Sequence, residues 1–174
     1  MKYENIKMVG DNDTVRYALR KDGEKLLVVI GINPSTANDD RPDSTMTRVL
    51  GIAERNGYDG FIMLNIYPQR ATNSANLSHE CDSAIHQENL RQIKNALSGI
   101  DHPDVLLAFG DNIGKRPYLK TCLRDIVSVI SEHNPHWLQL GTPTGKGNPR
   151  HPLFGCNRSI EDFDINAYLT TIRS

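Results

Sequence analysis

The chain has 174 residues, 38% of them hydrophobic and 24% charged, a composition that suits one globular domain and excludes a disordered chain. Its formal net charge of −1 argues against strong non-specific binding to nucleic acid. No apolar run reaches the roughly 20 residues that cross a bilayer, and the start, MKYENIKMVGDND, lacks the apolar core of a signal peptide. We therefore expect a single cytoplasmic domain over residues 1–174.

The first predicted strand covers residues 15–20 and is followed by an Asp-Gly turn signal. This pattern predicts an N-terminal β-hairpin with a second, almost wholly apolar strand at residues 25–32. Further apolar strands are predicted at residues 60–68, 104–110 and 137–141. Helical spacing of apolar residues predicts helices from Asp43 or Ser44 to Asn56, at 84–97 and 117–133, and a short one within 160–172.

Strands and helices alternate after the hairpin in the order βαβαβαβ. This order favours a parallel sheet with helices on both faces. We therefore expect an α/β fold, a three-layer αβα sandwich with a central, mainly parallel four-stranded sheet plus the N-terminal β-hairpin.

Small or polar residues follow each of the four buried strands. In an open α/β sheet, ligands bind at the carboxyl ends of the strands, so these residues should meet at one edge although they are distant in sequence. The candidates at the four strand ends include Gly31, Asn33, Pro34, Ser35 and Thr36; Asn65, Arg70 and Thr72; Gly110, Asp111 and Asn112; and Lys146, Arg150 and His151.

The two asparagines that end buried strands indicate a nucleobase pocket. An amide offers both a donor and an acceptor, so Asn33 and Asn65 can pair with the edge of a base, although either could instead brace a turn. Gly31 permits close approach of the main chain to a ligand, and Pro34 fixes the backbone of the following loop.

Proline precedes Arg150 and follows His151, and this arrangement predicts a rigid loop around the imidazole. Such a histidine can donate a hydrogen bond to a carbonyl oxygen that gains negative charge, although a lone histidine is more often structural. Arg48 and Arg70 can each clamp a phosphate. Arg48 can equally pair with Asp43, which is itself either a water-activating carboxylate or a helix N-cap.

Residues 114–160 contain seven basic and two acidic side chains, which predicts either a positive face toward phosphates or a merely solvated surface. His79, Cys81 and His86 have irregular spacing, so we expect no metal site. No phosphate-binding loop or dinucleotide motif indicates a cofactor.

Four motifs, INPSTA (residues 32–37), DSTMTR (43–48), MLNIYPQRAT (63–72) and GNPRHPL (147–153), resemble the DUF1643 family, a group of small bacterial proteins without an established activity. The resemblance covers roughly residues 16–154.

The order of elements also resembles the uracil-DNA glycosylase superfamily. There a first strand ends in a Gly-x-x-Pro loop that positions or activates water, a second in an asparagine that reads the base, a third near a glycine and helix, and a fourth in a His-Pro loop. The resemblance assigns these roles to residues 31–34, Asn65, Gly110 and His151. The Leu-Phe-Gly that follows the His-Pro pair departs from the Ser-Pro-containing loop of glycosylases, and no obvious apolar wedge is present. Both departures count against action on duplex DNA.

The leading hypothesis is hydrolysis of an N-glycosidic bond to a base in DNA, a nucleotide or a nucleoside. Asn33, with the hydroxyl of Ser35 or Thr36, would hold the water, Asn65 would select the base, and His151 would stabilise charge on the leaving base. An amide is a poor general base, so fast catalysis needs a carboxylate. The candidates are Asp39, Asp40, Asp43 and Asp111.

The alternative hypothesis is a pocket that binds a nucleotide or modified base without turnover. Under both hypotheses the expected partner is a nucleobase-containing ligand, free or in DNA, without a membrane. The sequence leaves the oligomeric state open.

Overall fold

The computed structural model describes residues 1–172. Its strands are β1 (Lys7–Gly10), β2 (Arg16–Lys21), β3 (Leu26–Gly31), β4 (Gly60–Asn65), β5 (Asp104–Leu107), β6 (His136–Leu140) and β7 (Ile160–Asp162). Its α-helices are α1 (Ser44–Arg55), α2 (Ser83–Ala96), α3 (Tyr118–Ser131), α4 (Pro152–Gly155) and α5 (Ile165–Thr171), with short 3₁₀ turns at Ser74–Asn76 and Gly110–Gly114. Within the described residues, no helix combines the length and the apolar character needed to cross a bilayer.

All seven strands form one mixed sheet in the order β1-β2-β4-β3-β5-β6-β7. The four strands β3 to β6 run parallel, as predicted. The sheet is nevertheless larger than the predicted four strands plus a hairpin, because β1, β2 and β7 extend it as antiparallel edge strands. The chain is therefore α/β with a seven-stranded mixed sheet.

The predicted N-terminal hairpin between β2 and β3 is wrong. The hairpin instead joins β1 to β2, and β2 pairs with β4. Both edges of β3 are occupied by parallel neighbours, β4 and β5, which leaves no place for β2 beside it. The Asp-Gly segment that suggested a turn passes over the start of β4, where the Asp59 carboxylate accepts hydrogen bonds from the N–H groups of Glu24 and Lys25.

Both faces of the sheet are covered by helices. In β3, Val28 and Ile30 pack into the core formed with α2, α3 and α5, whereas Leu27 and Val29 pack into the core formed with α1. The short helix α4 lies against α1 on that second face. An apolar strand with both faces buried is what a central parallel position requires.

The direction of the helical connections creates a crevice at one end of β3. This strand leads into α1 on one face, whereas its neighbours β4 and β5 lead into α2 and α3 on the opposite face. Diverging connections from adjacent parallel strands open a crevice at their carboxyl ends, the usual ligand site of such sheets.

The C-terminal prediction was incomplete. Residues 160–172 were expected to hold one short helix, but they contain β7 and then α5. The strand forms because the free edge of β6 accepts it, a long-range pairing that local periodicity does not show.

Candidate functional site

A cavity of about 400 Å³ opens at the carboxyl ends of β3 and β4. The first turn of α1 and the loop that follows β6 complete its wall. Its volume lies within the range of small-molecule sites. Nine of the predicted site residues line it: Gly31, Asn33, Ser35, Thr36, Asp43, Asn65, Thr72, Asn112 and His151.

The side-chain amide of Asn65 is buried and unpaired. Asn65 is 1% exposed, yet neither its Oδ1 nor its Nδ2 has a hydrogen-bond partner within the described chain. Asn65 pairs across the parallel ladder with Gly31, where a Cβ atom would approach its Oδ1 to 2.9 Å. The glycine therefore leaves room for the amide. Buried amides are nearly always hydrogen-bonded, so an unpaired one lining a cavity indicates a ligand group.

The strand end that carries this amide is braced from below. Asn89 of α2 is fully buried, and its Nδ2 donates to the backbone carbonyl of Asn65 (3.0 Å). This hydrogen bond fixes the backbone of Asn65 beside the cavity. It does not involve the side-chain amide of Asn65, which remains available to a ligand.

Asn33 has a defined amide orientation. Its Nδ2 donates to the carbonyls of Ala71 (2.7 Å) and Pro34 (3.0 Å). Two acceptors around one atom identify it as the NH₂ group, which leaves Oδ1 as the free acceptor. An acceptor at this wall can hold a water molecule or a ligand hydroxyl.

His151 is the N-cap of α4, and this role fixes its tautomer. Its Nδ1 accepts a hydrogen bond from the N–H of Leu153 (3.2 Å), so the proton of the neutral ring lies on Nε2. Burial lowers the pKa of His151, an effect that nearby Asp43 opposes, which favours the neutral ring at pH 7. Nε2 has no partner among residues 1–172 and is available as a donor.

The backbone of Gly110 lies close to the backbone and Cβ of His151. This residue has φ +61°, and a Cβ there would lie 3.0 Å from the His151 Cβ. Its N–H donates to the carbonyl of Pro149 (2.9 Å), two residues before the histidine. Gly110 does not line the cavity; its position in the structure is that of a support for the histidine loop.

Asp43 caps α1 and lines the cavity at the same time. Its Oδ1 accepts from the N–H of Met46 (2.9 Å) and its Oδ2 from the N–H of Ala37 (3.3 Å). The cap predicted from the sequence is therefore present. Asp43 is the only one of the four candidate carboxylates that lines the cavity; Asp39, Asp40 and Asp111 do not.

Sequence reasoning missed Arg16, the first residue of β2. Arg16 lines the cavity, is 2% exposed and has no carboxylate within 4 Å among the described residues. Its Nη1 donates to the carbonyl of Ala37 (3.0 Å), and its Nε has no partner. An arginine at a strand end is ordinarily a surface residue, so no local signal distinguished it.

Besides Asp111, the structure does not bring six other predicted site residues to the cavity: Pro34, Arg48, Arg70, Gly110, Lys146 and Arg150. Arg48 is exposed and, within residues 1–172, forms neither the suggested ion pair with Asp43 nor another one. Arg70 donates to the carbonyls of Asp11, Ser35 and Ala37. Lys146 is exposed in the loop after β6.

The basic segment 114–160 is in part internal. Arg116 donates to the carbonyls of Leu77 and Ser78, and Arg124 to that of Leu169. Arg150 binds carbonyls of its own loop. These arginines tie loops and the C-terminal helix to the domain.

Two exposed apolar side chains stand at the rim of the cavity. Leu153 is 41% exposed and Phe154 is 79% exposed, and both line it. The sequence predicts no obvious apolar wedge, whereas the structure exposes this apolar pair just beyond the His151-Pro152 pair. Packing of α4 against the domain does not bury these two side chains. Their apolar surface is therefore available to solvent or to a ligand.

His79, Cys81 and His86, the set weighed against a metal site, do not form one cluster in the structure. His86 pairs through Nε2 with Asp125 (2.8 Å), and Cys81 Sγ lies 3.9 Å from Cys122 Sγ. In the part of the chain that the structure describes, no three histidine, cysteine or acidic side chains form a group that could hold a metal ion.

The family described as "Protein of unknown function (DUF1643)" matches residues 16–153. The chain belongs to the DUF1643 family. No curated protein and no solved structure matches it significantly. In this DUF1643 chain the matched segment begins at Arg16 and ends at Leu153, so it contains the whole cavity lining except Phe154.

Proposed function

We propose that the cavity binds a nucleobase and that the protein hydrolyses the N-glycosidic bond to that base. The observation that carries the proposal is the buried, unpaired amide of Asn65 at the end of β4. A ligand with one donor beside one acceptor, as on the edge of a base, would satisfy both atoms. Leaving either atom unpaired costs about 1–3 kcal/mol, so such a ligand gains affinity by pairing them.

The chemistry follows from the two other polar walls. A water oxygen bonds to C1′ as the C1′–N bond breaks. The electron pair of the broken C1′–N bond moves onto the departing base. The Nε2–H of neutral His151 donates to the base oxygen on which that charge collects. The free Oδ1 of Asn33 accepts a hydrogen bond from the attacking water. The proton of that water finally passes to the base, which leaves neutral.

This proposal includes a fold relationship. We infer that the parallel core β3 to β6 is related to the uracil-DNA glycosylase superfamily, because the motifs occur in the same order at the same strand ends. Exposed Leu153 and Phe154 beside His151 provide apolar surface that a DNA substrate could contact. DNA therefore belongs among the substrates to be tested.

A second candidate is binding of a nucleotide or modified base without turnover. Among the residues that the structure describes, Asp43 is the one acidic side chain at the cavity, and two backbone N–H groups engage its carboxylate. Both carboxylate oxygens therefore already accept a backbone hydrogen bond, so neither is held free for an attacking water. A site without an effective general base retains binding but loses rate.

The experiment measures base release. Purified protein is incubated with nucleosides, their 5′-monophosphates, and uracil-containing single- and double-stranded DNA, and free base is quantified by chromatography. His151→Asn is the informative variant, because asparagine can replace the N-cap acceptor but not the Nε2 donor. We expect its rate to fall about 100- to 1,000-fold, the usual effect of losing one charge-stabilising donor.

The matched control is His79→Asn, an exposed histidine outside the cavity, which should retain full activity. Ligand-induced thermal stabilisation without base release would favour the second candidate. Neither release nor stabilisation with any member of the panel would refute a base-binding cavity.

A further inference from the structure

A buried cation lies in the wall of the cavity without a counter-ion among residues 1–172. Arg16 is 2% exposed, and its guanidinium has one acceptor, the Ala37 carbonyl, with Nε unpartnered. The Ala37 carbonyl also accepts a hydrogen bond from Nη1 of Arg70 (3.1 Å), so it would remain hydrogen-bonded without Arg16. Buried charges are nearly always paired, and a purely structural role does not explain this one.

The surroundings of Arg16 add positive charge. Burial and the neighbouring guanidinium of Arg70 lower the pKa of Arg16 to about 10, opposed by Asp43 and Tyr3. Asp43 is the nearest acid at the cavity, but its carboxylate is engaged by two backbone N–H groups and lies beyond ion-pair distance. Two cations near one partly engaged carboxylate leave a net positive charge.

The first turn of α1 faces the same cavity. Ser44 and Thr45 line it, and their backbone N–H groups have no acceptor among the described residues. The N-terminus of a twelve-residue helix favours an anion through these groups and its dipole. Asp43 occupies part of this positive end as the cap. The buried guanidinium is the independent observation that directs a ligand anion here.

We propose that Arg16 and the first turn of α1 bind the phosphate of a nucleoside monophosphate whose base is paired by Asn65. This inference rests on the proposed function and specifies its substrate class. The guanidinium would satisfy its free Nε by a charge-assisted bond to a phosphate oxygen. A terminal phosphate fits within a cavity of about 400 Å³, whereas a diester flanked by further nucleotides needs a longer groove.

The test compares each nucleoside with its 5′- and 3′-monophosphate, and with inorganic phosphate, by calorimetric titration of the whole protein. We expect one monophosphate to bind about 10- to 100-fold more tightly than its nucleoside. In Arg16→Met this ratio should fall close to one, while affinity for the nucleoside persists. Arg16→Lys, which keeps the charge without the planar fork, should retain part of the preference.

Arg91→Met is the matched control, because Arg91 is an exposed arginine of α2 outside the cavity, and it should leave the ratio unchanged. A nucleoside and its monophosphates binding equally well to the unmodified protein would overturn the phosphate site and leave the base site standing. Arg16-dependent binding of inorganic phosphate with no binding of nucleosides or nucleotides would support the anion site and refute the base site. If nothing binds, both proposals fail.

Discussion

Replacing Arg16 by methionine should not destabilise the unliganded protein and is expected to stabilise it. Folding lowers the pKa of Arg16 well below its ordinary value, to about 10, mainly through burial. At 1.36 kcal/mol per unit, holding the charged form inside the protein costs about 3 kcal/mol. Because pH 7 lies below the pKa of Arg16 in both states, the folded and unfolded proteins are both protonated there and the penalty is fully present. It is relieved only as pH rises above the folded pKa.

The substitution also removes favourable interactions. Loss of the charge-assisted hydrogen bond to Ala37 costs about 1.5–3 kcal/mol, and Arg70 still satisfies that carbonyl. Methionine retains most of the apolar stem. Subtracting this loss from the relieved burial penalty gives an unfolding free energy between zero and about 1.5 kcal/mol higher than that of the unmodified protein. In a chain of this length, this corresponds to a melting temperature at most about 6 °C higher.

Urea unfolding followed by circular dichroism at pH 7, without ligand, measures this difference. The matched control Arg91→Met should shift the unfolding free energy by less than about 0.5 kcal/mol, as is usual for an exposed pair. The opposite result would be an unfolding free energy of Arg16→Met lower by about 3 kcal/mol or more, the value expected for breaking a buried ion pair. Arg16 would then have an internal counter-ion, and the argument for a phosphate site would fail.

Three further outcomes test the site and its support. Asn65→Leu should leave the unfolding free energy unchanged or up to about 2 kcal/mol higher while it abolishes base binding, since the amide has no internal partner; a clear loss of stability would show that it has one. Gly110→Ala should cost about 1–2 kcal/mol through its φ of +61° and should also reduce base release by shifting His151, whereas an unchanged melting temperature would contradict the close packing. Hydrogen bonds to Asp104 and to a second carboxylate raise the pKa of His136, so its stabilisation is full below the unfolded pKa of about 6.5 and is lost as pH rises through the folded pKa. The urea midpoint of the unmodified protein relative to His136→Gln should therefore decrease between pH 6 and pH 9, and a pH-independent difference would contradict this.

Local patterns in the sequence were sufficient for the parallel core and much of the cavity. Continuous apolar runs identified β3 and β4, and helical spacing with an Asp43 cap identified α1. Because parallel strands end at a common edge, the sequence also predicted that Asn33, Asn65 and His151 would lie around one space, and all three line the cavity.

The edges of the sheet could not be predicted in this way. The pairing of β2 with β4, and of β7 with β6, depends on which strand edges remain free after the core has assembled. A turn signal such as Asp22-Gly23 predicts that the chain bends there. It does not predict whether the two strands that flank the turn pair with each other. The predicted hairpin failed for that reason.

The roles of the charged residues were likewise decided only by the tertiary structure. The sequence includes Arg48, Lys146 and Arg150 among the candidate ligand contacts, with an ion pair to Asp43 as the alternative for Arg48, yet none of the three lines the cavity. No local pattern in the sequence distinguishes Arg16, but the fold buries it without placing a counter-ion beside it in the described part of the chain. A residue type and its spacing determine what chemistry a side chain can perform, whereas burial and the positions of its partners determine whether that chemistry remains available to a ligand.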